Sequence, residues 1–123
     1  MSRCPKTVPI SSRNGFNFIY ARGEAGTSKI TVEKPSGSPF DLTPFDVVYR
    51  VVSLEDSQLV FEKSLGQGIR VIDLSGGLLE LVFDPSDTDR EPGPYAHELR
   101  ITDHADYAES VMTGYFNVEP SIF

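Results

Sequence analysis

Apolar residues recur at every second position in short runs along this chain, and polar clusters separate the runs. A period of two marks a strand with one buried face. In "GFNFIYAR" it puts Phe16, Phe18 and Tyr20 on one side. "SKITVEKPSGSP" turns Lys29, Thr31 and Glu33 outward and Ile30 and Val32 inward, then stops at Pro35, Ser36 and Gly37. In "FDVVYRVVS", Phe45, Val47, Tyr49 and Val51 oppose Asp46, Val48, Arg50 and Val52. Both faces are fairly apolar there, as in a central strand. "QLVFEKSL" follows the polar turn "LEDSQ" as its partner strand.

"GIRVID" and "LLELVF" flank Leu74, Ser75, Gly76 and Gly77, a hairpin turn whose glycines supply positive φ without steric cost. Leu79, Leu81 and Phe83 are expected inward and Glu80 in solvent. "PYAHELRIT" sends Tyr95, His97, Leu99 and Ile101 one way and Ala96, Glu98, Arg100 and Thr102 the other. A last strand, near residues 109–118, points Met112, Phe116 and Val118 inward, with Gly114 expected as a bulge. The nine prolines and ten glycines fall almost wholly between these runs, and no helical stripe appears. The pattern predicts an all-β fold, a single antiparallel β-sandwich. It divides into an extended N-terminal arm (1–15), the sandwich domain (16–120) and an apolar C-terminal tail (121–123).

Turn residues carry the corners of this plan. Pro39 and Pro44 in "SPFDLTP" fix φ and lack the N–H that would extend a ladder. Asp41 between them can accept a hydrogen bond from the backbone two residues on. "EPGPY", with Gly93, does the same before the strand of Tyr95.

Length and charge narrow the function. A chain of 123 residues fits one domain. Cys4 is the only cysteine, so no intrachain disulfide can form, which fits a reducing compartment or an assembly built inside a cell. No apolar run approaches the roughly 18 residues of a membrane span, and the N-terminus lacks the apolar core of a secretion signal. A soluble chain that takes neither route is the expectation, with no membrane partner. Residues 1–15 hold Arg3, Lys6 and Arg13 and no acid, a charge of +3. The net charge is −7, so the rest carries −10. An acidic body argues against nucleic acid, which needs a basic face.

Candidate chemistry is sparse. "DPSDTDRE" gathers Asp84, Asp87, Asp89 and Glu91, the oxygen-rich composition that calcium takes, but without the spacing that wraps a short loop round an ion. An exposed acidic connection is the stronger reading, and no metal or other cofactor is expected. His97 alternates with core positions and is read as half-buried and hydrogen-bonded. His104, in "TDHADY", is read as part of a hairpin loop. No serine sits in a G-x-S-x-G turn and no glycine-rich stretch precedes a helix, so an enzyme is not expected. A glycan- or host-surface-binding module is the alternative, with Tyr107 and Phe45 as the aromatics left over for a sugar. Ile122 and Phe123 have no place in the strand pattern. With Arg3, Lys6 and Arg13 they are the candidates for contact with a neighbouring subunit.

Taken in order, these pieces resemble the N-terminal domains of phage baseplate upper proteins. "KPSGSPFDLTPFDVVYRVVS" is similar to their small-residue turn, "P-x-DLT" stop and following strand. "GIRVIDLSGGLLELVFDP" resembles their hairpin, "EPGPYAHELRITD" their Pro-Gly turn and strand, and "GYFNVEP" their closing strand. The likeness spans about residues 16–120. It implies an Ig-like β-sandwich without catalysis or obligatory cofactor. It further implies a structural or adaptor protein of a tailed-phage virion, assembled in the host cytoplasm, in the baseplate, tail, neck or capsid decoration. Such a module docks on other virion proteins as a symmetric homo-oligomer or in many copies. The family continues into a helical, fibre-bearing region that this sequence lacks, so a stand-alone module is expected.

Overall fold

Each alternating run folds as a strand in the computed structural model, which describes residues 17–34, 36–103 and 108–122 and the backbone of 6–9. The strands are β1 (Lys6–Pro9), β2 (Phe18–Ala21), β3 (Gly26–Glu33), β4 (Asp46–Val52), β5 (Leu59–Leu65), β6 (Gly68–Asp73), β7 (Leu78–Phe83), β8 (Gly93–Thr102) and β9 (Ala108–Glu119). A single helical turn, α1 (Pro85–Thr88), lies between β7 and β8. Among the described residues the fold is therefore all-β with almost no helix.

The nine strands are hydrogen-bonded in the order β1-β3-β7-β6-β5-β4-β8-β9-β2. The middle of that order is a corner. Strands β5 and β6 touch only at Ser64 with Gly68 and Leu65 with Ile69. Between them Gly66 and Gly68 take φ of 81° and 95°, a conformation that glycine adopts freely. The Gly66 N–H donates to the Ile69 carbonyl at 3.0 Å and the Gln67 N–H to the Ser64 carbonyl at 2.8 Å. A strand bent in this way passes from one layer to another. The corner divides the sheet into a four-strand half (β1, β3, β7, β6) and a five-strand half (β5, β4, β8, β9, β2).

The halves fold over one another. In a flat sheet β7 and β2 would lie about 29 Å apart, six spacings of about 4.8 Å. Instead the Phe83 ring of β7 lies 5.0 Å from Tyr20 and 6.1 Å from Phe18, both on β2. It also meets Phe116 at 5.4 Å, Tyr49 at 5.9 Å and Phe61 at 6.2 Å. Tyr20 and Ser28 hydroxyls join the two halves at 2.7 Å. Expected inward residues Ile30, Val32, Val47, Tyr49, Val51, Leu79, Leu81, Leu99, Ile101, Met112 and Val118 are all buried around this aromatic centre.

Four expectations need correction. The sheet is mixed, not antiparallel: β1 runs parallel to β3 and β2 parallel to β9. The short contact of β5 with β6 at the corner is parallel as well. The other two parallel pairs come from the N-terminal stretch, which supplies one strand to each edge of the curled sheet. The segment read as an arm accordingly contains β1, whose Lys6–Pro9 pairs with Ile30–Glu33. Pro9 sits on an edge strand, where its missing N–H breaks no ladder. Glu80 is buried because its neighbours in register, Lys29 on β3 and Arg70 on β6, flank it, and Arg70 forms an ion pair with it. The bulge in β9 is at Val111, not Gly114: Leu99 pairs with Met112 and Arg100 with Ser110, so both Val111 and Met112 are buried, while Gly114 pairs regularly with His97.

The turn residues sit where the corners require them. The loop after β3 crosses from the four-strand half to the five-strand half. Pro39 bridges Glu33. The Phe40 and Leu42 N–H groups donate to the Val32 and Leu74 carbonyls at 3.1 and 2.8 Å, and Leu42 is fully buried. The Thr43 N–H donates to Asp41 Oδ1 at 2.9 Å, and Pro44 completes the turn. Hydrogen bonds from the Thr43 side chain and backbone hold the Asp41 carboxyl below its ordinary pKa. Gly76 and Gly77 close the hairpin between β6 and β7, and Gly93 opens β8 with φ of 141°.

Candidate docking surfaces

The acidic loop is tied to the body by cations. Asp87 Oδ2 accepts from Lys63 Nζ at 2.7 Å and from the Asp84 N–H at 2.8 Å. The Lys63 stem comes from β5, its ammonium resting over the Phe61 and Phe83 rings at 5.3 and 5.5 Å. Asp89 Oδ1 pairs with Arg22 Nε at 3.0 Å on the surface, and this hydrogen bond raises the Arg22 pKa. The buried Thr88 hydroxyl donates to the Glu24 carbonyl at 2.8 Å, fastening α1 to the turn between β2 and β3. Asp84, Asp87, Asp89 and Glu91 thus serve as cap, ion-pair partners and exposed surface. Among the described residues no three histidine, cysteine or acidic side chains converge on a common point.

His97 is 3 % exposed, buried more deeply than the half-burial its alternation suggests. Its ring stands edge-on to Phe18 at 5.0 Å, and Nδ1 lies 2.9 Å from the Tyr49 hydroxyl. Burial also pushes the Tyr49 hydroxyl pKa well above its ordinary value. Phe45 is partly buried against Phe40 at 5.5 Å, which removes it as an exposed sugar platform. Cys4, Arg3, Arg13, His104, Tyr107 and Phe123 lie outside the described residues, as does the Lys6 side chain. Ile122 is fully in solvent at 96 % exposure.

Among the described residues, the outer face of the five-strand half carries several exposed large apolar side chains. Strand register there sets Leu59 on β5 beside Val52 on β4, Val52 beside Ala96 on β8, and Ala96 beside Tyr115 on β9. Leu54 flanks this row, and Ile19 projects from β2 next to it. Ile19, Leu54, Leu59 and Tyr115 are four of the seven large apolar side chains exposed among the described residues. One step along the strands is a polar row: Glu62, Arg50, Glu98 and Thr113. Arg50 pairs with Glu62, and Glu98 with Arg100 at 3.3 Å. The small residues Ala96 and Gly114 floor a groove of about 700 Å³ between Tyr115 and Arg50. The sequence reading did not single out Tyr115, although placing Phe116 inward already turned Tyr115 outward.

No family model matches the chain, and no curated protein matches it. Among solved structures it resembles the N-terminal domain of phage TP901-1 ORF48, with a TM-score of 0.67 over 97 % of this chain and 99 % of that one, at 14 % identity. A likeness at that identity establishes a shared fold. CopC from Methylosinus trichosporium OB3b aligns over 63 % of the chain at 15 % identity with a TM-score of 0.39, and nothing is drawn from it.

Proposed function

We propose that the chain is a structural or adaptor component of a tailed-phage particle, present in several copies, whose work is docking on neighbouring subunits. The fold likeness to the N-terminal domain of phage TP901-1 ORF48, over nearly the whole of both chains, carries this reading. The ordered sequence motifs between residues 16 and 120, which resemble baseplate upper protein domains, point the same way. An Ig-like sandwich is the finer reading of this mixed, curled sheet that the motifs imply. In it β3, β7 and β6 would take the places of strands B, E and D, and β4, β8 and β9 those of C, F and G.

Docking needs a rigid body with adhesive extremities. The aromatic centre around Phe83 supplies rigidity. Arg3, Lys6 and Arg13 at one end and Ile122 and Phe123 at the other supply contacts to other virion proteins. This reading assigns the chain no catalytic step and takes His97, packed against Phe18 and Tyr49, as a core residue.

Immunogold electron microscopy with an antibody to this chain tests the reading on purified particles. Gold over the capsid assigns a decoration role, and gold at the neck, tail or tip assigns an adaptor or baseplate role. Unlabelled particles beside abundant protein in the soluble lysate overturn the reading in favour of a free glycan-binding module.

A further inference from the structure

We infer that the outer face of the five-strand half joins two copies of the chain around a two-fold axis. The inference deepens the proposed function by naming the surface and occupant of one docking contact. Exposed apolar side chains scattered singly are ordinary, but contiguous ones mark an interaction site. Here Leu59, Leu54, Tyr115 and Ile19 cluster with Val52 on one sheet face while the opposite side of the same strands is core.

The register selects a second copy as the occupant. An isologous interface requires a surface complementary to itself. A two-fold axis along the strands, between β4 and β8, lays β4 over β8 of the second copy and β5 over its β9. The apolar row then matches itself by size: Val52 meets Ala96 of the partner subunit, and Leu59 meets Tyr115 of the partner subunit. The polar row matches by charge, with Arg50 meeting Glu98 of the partner subunit and the reverse contact made on the other side of the axis. The extent is suitable. The four strands this axis pairs, at about 4.8 Å each, and the seven residues of β4 at about 3.3 Å make a face roughly 19 Å by 23 Å. With side-chain relief, that lies toward the small end of standard interfaces, to which each partner contributes roughly 800 Å².

The test is the molar mass of the isolated chain by light scattering and sedimentation, from about 1 to 100 µM, with circular dichroism to verify folding. Wild type is expected to be a dimer in the upper part of that range. R50E and E98R should each weaken dimerisation at least tenfold, and the double variant R50E/E98R should regain most of the loss, because the exchanged charges again face each other. A wild type that stays monomeric at 100 µM overturns the inference. So does a dimer indifferent to both reversals, or a folded monomer whose Tyr115 resonances shift on titration with a neutral oligosaccharide. None of these outcomes bears on where gold falls on the particle, so failure here leaves the proposed function standing.

Discussion

Lys63 and Asp87 form an ion pair at 2.7 Å with 7 % and 14 % of their side chains exposed, and the pair locks the loop after β7 onto the corner between β5 and β6. Such a pair is worth little over two apolar residues, but breaking it strands a charge in a poorly solvated site. Asp87→Ala removes the partner of the more deeply buried group and the acceptor for the Asp84 N–H, at an expected cost of about 3 kcal/mol. Lys63→Met, which keeps the apolar stem over Phe61 and Phe83, should cost less, about 2 kcal/mol, because Asp87 is the more exposed partner and keeps the Asp84 N–H as a donor. Urea unfolding of the two variants measures the difference. Equal, small losses in both would mean the pair does not hold the loop.

Gly77 has φ of 72°, and a Cβ there would stand 2.4 Å from the Val32 carbonyl and 2.9 Å from the Phe40 carbonyl. Gly66, at φ of 81°, has nothing within 4 Å of the same atom. Gly66→Ala therefore incurs only the backbone penalty of a left-handed conformation, about 1 kcal/mol. Gly77→Ala adds a collision with rigid backbone at the junction of β3, β7 and the crossover loop, for a total of about 3 kcal/mol or more. Thermal unfolding of both variants compares them directly, and a Gly77→Ala protein as stable as Gly66→Ala would refute the packing argument.

How much of this was legible beforehand divides along a physical line. Alternation reports which face of a strand is buried, and Val47, Tyr49 and Val51, or Leu79, Leu81 and Phe83, are buried where alternation puts them. Alternation is silent about which strand pairs with which. The parallel pairs of β1 and β2 are made by backbone groups whose partners lie far along the chain, so "KTVP" reads as arm although it is sheet. It is equally silent about what covers an outward residue, which is why Glu80 reads as solvated when Lys29 and Arg70 flank it. The Val111 bulge leaves two successive residues buried, a breach of period two with no local signal in "SVMTG". The docking face was within reach, since Tyr115 is outward by parity. Val52 and Leu59 join its row only through the register of three strand pairings, β8 with β9, β4 with β8 and β4 with β5.

The Tyr49 hydroxyl predicts an alkaline weak point. Burial is the main cause of its raised pKa, with the nearby Tyr20 and Asp87 adding to it. The folded chain thus keeps the proton at a pH where the unfolded chain releases it, so deprotonation favours unfolding. The stabilising contribution is fully present below the ordinary tyrosine value of 10.0 and is lost progressively as pH rises above it. Wild type should lose stability between about pH 9 and 11 more steeply than Tyr49→Phe. At neutral pH the same variant should be less stable by about 1 kcal/mol, the net worth of the hydrogen bond to His97. Denaturant midpoints across that range read both effects. Parallel curves for the two proteins would show that Tyr49 does not govern alkaline unfolding.

Strand β1 makes the last prediction, because it turns the N-terminal stretch from appendage into sheet edge. Lys6–Pro9 covers Ile30–Glu33, the half of β3 that faces no other strand on that side. Deleting residues 1–9 removes those ladder bonds, at roughly 0.5–1.5 kcal/mol each, for an expected loss of about 2 kcal/mol. It also bares an unpaired edge of alternating apolar residues, a template for pairing with other chains. The shortened protein should unfold at lower urea concentration and form larger species on sedimentation. Deleting only residues 1–5 leaves β1 in place, so stability and mass should match wild type. The virion reading adds that this shorter deletion, which removes Arg3, lowers incorporation into particles. Wild-type stability after loss of residues 1–9 would return the whole stretch to the status of a free arm.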